Sequence, residues 1–261
     1  MEAKIAVSSK REKVTTLVIG LGLISLFAAS LYFLKLDVKT FVSRFDSVGA
    51  VVPKFFALDF SDLGTIISEL FVSLCMAVAG LALGFVISIP LSFLGASNTT
   101  PHPLLAGLIK GIVGIVRAVP ALIWILIVVA SLGFGNTAGV VGLIFPTTGY
   151  LTKSFISSIE EQDPAIIETM KSTGAGWLQL ITEGLLPGLT NPILSWTSIR
   201  LESNIAESIS LGMVGAGGIG MVLTRSIGKY EYAKISTIIL VIFVTMITVE
   251  LLIGQIKKAI R

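Results

Sequence analysis

The chain has 261 residues, 54% of them hydrophobic and 13% charged, with a formal net charge of +3 and a mean hydropathy of +0.93. Soluble domains carry about 25% charged residues, so the composition excludes an ordinary soluble fold and predicts an all-α polytopic membrane protein. Lys and Arg fall at chain ends and span edges rather than on one face, which excludes a nucleic-acid partner.

Residues 1–13 form a basic tail containing Lys4, Lys10, Arg11 and Lys13. The apolar run 14–36 follows. It exceeds the roughly 7–15 residues of a signal-peptide core, and no small-x-small cleavage site follows it, so it is expected to stay as a first span. Residues 37–62 place Phe41, Phe45, Val48, Val52, Phe55 and Phe56 at helical spacing among Lys39, Arg44, Asp46 and Lys54. This pattern fits an extracytoplasmic amphipathic helix on the membrane surface, and equally an ordered connector.

A span needs about 20 mostly apolar residues. Five more meet that rule, making about six. They are 63–94, 104–132, 138–159, 187–214 and 235–256, so the membrane core runs over 63–256. The first of these five is too long for one straight crossing, so it is tilted or begins at the interface. Gly133–Asn136 supplies a tight turn between the third and fourth spans. A second basic tail, 257–261, carries Lys257, Lys258 and Arg261. Basic ends and an even span count put both termini in the cytoplasm by the positive-inside rule. The loop 160–186 then lies on that side. Residues 225–234 fall outside despite three basic residues and one acid.

The loop 160–186 carries its own start and stop signals. Asp163 can accept from free backbone N–H groups, and Pro164 suits the first helical position. Gly174 can adopt the positive φ that ends a helix. The enclosed helix, about 164–173, is too short to be stable alone. Ile166, Ile167 and Met170 share one side, while Glu168, Lys171 and Ser172 face elsewhere. A second short helix is expected over 176–185, with Trp177, and Pro187 opens the fifth span. The apolar face either docks into a groove on a soluble partner or packs back onto this chain's own spans.

These residues carry a resemblance. Glu168-Thr169-Met170, Gly174 and Leu186-Pro187 resemble the EAA…G…I-x-L-P loop of ABC-importer permeases. Thr169 and Met170 stand where that pattern has alanines, and Gly184 stands where it has Ile. The resemblance implies a type I ABC importer permease fold with a cytoplasmic coupling-helix loop. It implies that Ile166, Ile167, Glu168, Met170, Gly174 and Trp177 couple to a separate ATPase, which would hold ATP and Mg. This chain would itself carry no cofactor and no catalysis. It contains no G-x-x-x-x-G-K-[ST] phosphate cradle. Gly215, Gly217, Gly218 and Gly220 superficially resemble a dinucleotide fingerprint, but no βαβ pattern surrounds them. They fit a close-packed, flexible turn instead.

Two further stretches narrow the resemblance. Arg117-Ala118-Val119-Pro120, and Glu202, Asn204 and Ile205 followed by Leu211-Gly212-Met213-Val214-Gly215-Ala216-Gly217-Gly218-Ile219-Gly220, are similar to permeases of phosphonate importers, whose relatives carry phosphite or phosphate. The resemblance covers about 63–256. Ala206 stands where many members carry arginine, and a similar glycine turn occurs in methionine-importer permeases. The implied partners are two copies of an ABC ATPase, a second permease copy or a homologous permease, and an extracytoplasmic substrate-binding protein. The implied location is the bacterial cytoplasmic membrane, in contact with lipid.

An ionisable group inside a span costs about 2.5–3.5 kcal/mol on insertion scales. Arg200, Asn204 and Glu207 fall at i, i+4 and i+7 of one helix face, with Glu202 off it. Arg117 precedes Pro120, where a kink frees carbonyls. Glu69 and Glu250 lie in other spans. One expectation is that Arg117, Pro120, Arg200 and Asn204 line a water-filled pathway for an oxyanion, with Glu202 and Glu207 holding the arginines or gating. The other is that these charges only pair between helices. No metal site is expected, since Cys75 and His102 stand alone. Alternatives are an ABC importer for an amino acid, a stand-alone secondary transporter, and an intramembrane enzyme. The second predicts inverted repeats that the sequence does not show. The third lacks a nucleophile–base set.

Overall fold

A computed structural model of the chain describes residues 9–35 and 37–260. Lys4 of the N-terminal tail, Leu36 at the end of the first span and Arg261 of the C-terminal tail lie outside the described residues. The described chain is helical and divides into two units, residues 1–54 and 55–261.

In the first unit, α1 (Lys10–Leu34) starts at a reciprocal cap. The Ser9 hydroxyl accepts from Glu12 N, and Glu12 Oε2 accepts from Ser9 N at 2.8 Å. Its apolar window has none of its residues buried. A helix apolar on every side needs lipid as its solvent. Residues 37–62, expected as a partly helical amphipathic stretch or an ordered connector, contain two short helices, α2 (Val38–Ser43) and α3 (Phe45–Val51), followed by a 3₁₀ turn at Val52–Phe56. Asp37 caps α2 through the Thr40 N–H. Phe41 and Phe45 meet edge to face at 5.7 Å and stay exposed with Val42 and Val48.

The second unit holds α4 (Leu63–Gly95), α5 (Pro103–Ala118), α6 (Ala121–Leu132), α7 (Asn136–Glu160), α8 (Pro164–Ser172), α9 (Trp177–Gln179), α10 (Leu186–Leu211), α11 (Ile219–Gly228) and α12 (Tyr232–Ile260). Among the described residues of the chain, three helices are long and apolar enough to cross a membrane: Arg11–Leu34, Leu63–Gly95 and Tyr232–Gln255. Two bent pairs qualify jointly, α5 with α6, and Trp177–Ala216 with α11. The expected fourth span, α7, has 25 residues, or about 37 Å of helix. It is long enough but less apolar, because it sits among the other helices. Buried Gly139, Gly142, Thr147, Gly149, Thr152 and Ser158 line it, as suits a helix that faces helices rather than lipid.

The third span, expected as one run over 104–132, is bent by 87° between α5 and α6. Pro120 pushes the preceding residue out of the helical region, and Val119 is extended at φ −86°, ψ 121°. The fifth also differs. The short helix expected over 176–185 is continuous with the span, through a π-helical stretch, Leu180–Leu185, into α10. Widening the helix there accommodates the N–H that Pro187 lacks. α11, within the region expected as a turn and loop, leaves that helix at 57°. Its ten residues fall below a span-length window.

The glycine run before α11 is a tight junction. Gly215, Gly217 and Gly218 have φ of 102°, 90° and 69°, a region that disfavours side chains. Gly135 N donates to Gly215 O at 3.1 Å, and the Ser73 hydroxyl of α4 accepts from Ile219 N at 3.0 Å. A Cβ at Gly220 would overlap the Ile209 carbonyl oxygen. Because that neighbour is backbone, Gly220→Ala should cost about 3 kcal/mol, the upper end of ordinary overpacking. Gly254, in α12, has nothing within 4 Å of an added Cβ, so Gly254→Ala should leave stability unchanged or raise it by up to about 1 kcal/mol. Thermal melts of the two variants in detergent check this.

Candidate functional site

Two groups of residues stand out. The first is the capped loop at one end of the helices. Asp163 Oδ1 accepts from Ala165 N at 2.9 Å, and Pro164 takes the first helical position of α8. Gly174, at φ 80°, ends it. Gly174 N donates to Lys171 O and Ala175 N to Met170 O. The predicted start and stop signals are therefore both present.

Of the two expectations for the apolar face of α8, the geometry shows the inward one. Ile167 is 7% exposed and joins a cluster with Phe93, Leu151, Phe155, Leu180 and Leu185, against which Ile166 and Met170 also pack. Glu168, Thr169, Lys171 and Ser172 remain exposed. Trp177 is exposed, while its indole N–H donates to Thr99 O at 2.7 Å in the α4–α5 turn.

A polar cluster unseen in the sequence braces this end. Lys110 Nζ donates to Glu160 Oε1 and to Ser97 Oγ, both at 2.7 Å, and Ser97 N donates to the same carboxylate oxygen at 2.8 Å. Asn98 Nδ2 donates to Ile159 O at 2.7 Å. Partial burial works to raise the Glu160 pKa. The bonds from Lys110 and Ser97, with the Lys110 charge, outweigh it and hold the carboxyl at about 2, down from 4.5.

The second group lies between α4, α7 and α10. Arg200 is 6% exposed. Its Nη2 donates to Glu207 Oε2 at 2.6 Å and its Nε to Thr147 Oγ1 at 3.3 Å. Its Cζ lies 5.8 Å from the Tyr150 ring centroid. Asn204 is fully buried, accepting from Thr147 Oγ1 and donating to Ala77 O. The i, i+4, i+7 face therefore forms, and Glu207 holds Arg200. Glu202 holds no arginine among the described residues. It lines a groove of about 490 Å³ with Glu250, Gln255 and Lys258, because it projects from another side of α10. Arg117 is exposed, and its stem lies where a Cβ on Gly149 would come within 3.1 Å. The Val116 carbonyl freed by the Pro120 break accepts from Trp124 Nε1 at 3.0 Å. Gly215, Gly217, Gly218 and Gly220 sit apart from this cluster, at the junction with α11. Thr147 and Tyr150 had no sequence signal, since only the tertiary fold brings them to Arg200.

The helical bundle, with a capped helix–Gly–helix loop and a polar seam among its helices, is that of a multi-pass membrane protein. The family described as binding-protein-dependent transport system inner membrane component matches residues 84–261. This chain belongs to that family. The phosphite transport system permease protein PtxC of Stutzerimonas stutzeri is 34% identical over 223 residues, covering 85% of this chain and 81% of the relative. The phosphate-import permease protein PhnE of Mycolicibacterium smegmatis is 36% identical over 236 residues, 88% of this chain but 43% of that relative. Inward-facing structures of the MetNI methionine ABC transporter match the fold with TM-scores of 0.67 and 0.70 at 20% and 21% identity. They cover 78% of this chain and all of the matched chain. The chain is therefore a multi-pass inner-membrane permease of the ABC importer class, and the partners of such a permease are an ATPase and a substrate-binding protein.

Since folding lowers the Glu160 pKa, its contribution to stability is complete above the ordinary value of 4.5 and is lost as pH falls through about 2. Acid titration of the solubilised protein should show stability falling across that window. Glu160→Gln should flatten that part of the profile, read by thermal midpoint against pH.

Proposed function

We propose that this chain forms the pathway of an ATP-driven importer for a small phosphorus oxyanion: a phosphonate, phosphite or phosphate. The observation that carries the cargo class is the similarity to the phosphite and phosphate permeases over 85% and 88% of the chain. Two copies of the chain, or one with a homologous permease, would enclose the pathway. Two ATPase subunits, binding ATP and Mg, would sit on the α8 side. An extracytoplasmic binding protein would capture the cargo, which leaves only weak, releasable contacts to the permease. We place both termini and α8 in the cytoplasm. The basic tails support this orientation, and on the opposite side Lys234 is tied to Asp62 and Lys229 lies 3.9 Å from Glu231.

Coupling runs through the outward side of α8. Ile167 serves the permease's own packing, so the groups offered to the ATPase are Glu168, Thr169, Lys171 and the turn at Gly174. Ile166, Met170 and Trp177 shape that helix from behind. Arg200 is the pathway cation in this reading, with Arg117 at the Pro120 break and Asn204 fixing its surroundings.

Two measurements test these assignments. Reconstituted with its ATPase and binding protein, the complex should take up phosphite, phosphate or methylphosphonate in an ATP-dependent manner. Uptake of methionine alone would overturn the cargo class. Separately, Ile167→Ala should destabilise the permease by about 2–4 kcal/mol. Glu168→Lys should leave its melting temperature unchanged and weaken co-purification with the ATPase by about tenfold or more. The reverse pattern would remove α8 from the coupling role.

A further inference from the structure

We propose that Glu207 is a built-in competitor for the transported oxyanion at Arg200, and so sets how weakly the permease holds its cargo. This rests on the reading of the cargo as a phosphorus oxyanion.

The two partners of the pair are held unequally. Arg200 is fixed from three directions, by Thr147 at Nε, by the Tyr150 ring over its guanidinium and by Glu207 at Nη2. Thr147 is itself locked to Asn204, which is bonded to the Ala77 carbonyl of α4. Glu207 has no partner but Arg200 among the described residues, and its side chain is 26% exposed against 7% for Arg200. The arginine is therefore preset and the carboxylate is the movable member.

The contact also leaves room. Arginine and a carboxylate commonly meet through two parallel N–H···O bonds. Here one such bond forms, and Nη1 donates to no described residue, nor is it among the atoms buried without a partner. A guanidinium held within cation–π range of an aromatic ring, with an open donor edge, suits a planar or tetrahedral oxyanion. Arg117 leans on the same turn of α7, at Gly149, and has no hydrogen-bond or ion-pair partner among the described residues.

An incoming phosphorus oxyanion would meet Arg200 with Glu207 already in place. Binding then exchanges one charge-assisted hydrogen bond for another, and the site stays weak enough to release its cargo. Removing the carboxylate would leave a buried, uncompensated guanidinium, which would hold an oxyanion too long.

The test uses the whole permease–ATPase complex in nanodiscs, with labelled phosphite and phosphate as probes, and uptake in proteoliposomes with the binding protein. Glu207→Gln should retain the label about tenfold more tightly or better and lower maximal uptake. Combining it with Arg200→Gln should abolish the added binding. Where Glu207→Gln fails to assemble, Glu207→Asp keeps the charge but draws it back by one methylene, and should shift binding the same way to a smaller extent. Wild-type binding and uptake in Glu207→Gln, or in Glu207→Asp where only that variant assembles, overturns the competition while leaving the cargo class standing. Lost uptake without tighter binding makes Glu207 a packing residue and overturns it too. A wild-type complex that takes up no phosphorus oxyanion removes the cargo class and this inference together.

Discussion

The close approach of α4 and α7 is the contact on which the remaining structure depends. Helices in lipid gain little by hiding apolar surface from one another, so association relies on shape and close packing. α4 presents Gly80, Gly84, Ser88 and Ser92 at four-residue intervals, all buried. A Cβ at Gly80 would lie 2.7 Å from the Leu143 Cβ, and one at Gly84 would lie 2.8 Å from the Thr147 Cβ. α7 answers with Gly139, where a Cβ would meet the Met76 sulfur at 2.7 Å. This closeness lets Thr147 reach Arg200 and Asn204, while Asn204 reaches across to the Ala77 carbonyl. Bulkier residues along either stripe would separate the helices and leave those polar groups unpaired in a medium that punishes unpaired polar groups.

The same rule governs every place where a helix stops inside the bundle. Backbone groups released in hydrocarbon must find partners within the protein. At the α5–α6 break the Trp124 indole takes the Val116 carbonyl, and its ring stacks on Phe145 at 4.7 Å. At the glycine junction the backbone of Gly135 meets that of Gly215, and Ser73 takes the Ile219 N–H. The glycine junction is thus tied to Ser73 of α4 and to Gly135 at the start of α7, and the α5–α6 break packs on Phe145 of α7.

What the sequence reveals here follows from how local each signal is. The α8 boundaries depend on Asp163, Pro164 and Gly174 and their immediate neighbours, so they are legible, as are long apolar runs such as the one in α12. Pro120 announces a break but not its 87° size, which depends on where α5 and α6 find surfaces. α11 is missed because ten residues cannot fill a span-length window. The direction of the α8 apolar face was open because its docking surface, Phe93 with Leu151 and Phe155, lies far away in sequence. Arg200 and Glu207 share a helix, so spacing predicts their meeting. Thr147 and Tyr150 belong to another helix, and no local pattern could name them.

The inward face of α8 changes how motion at the loop would travel. A loop docked only to a partner could flex without disturbing the spans. Here Ile167 is embedded among side chains of α4, α7 and the start of the α10 run. Trp177 is bonded to Thr99 in the α4–α5 turn, and Ser97 and Lys110 grip Glu160 at the end of α7. A push on the outer side of α8 would therefore displace the ends of these helices together, as a packed body, rather than bend the loop. The Arg200 seam is built from side chains or backbone of α4, α7 and α10. A small change in how those helices sit together would alter first the contacts that cross between them, Arg200 to Thr147, Thr147 to Asn204 and Asn204 to Ala77, because Arg200 and Glu207 share α10. The loop and the buried charges, separate features in the sequence, thus both rest on α4, α7 and the α10 run.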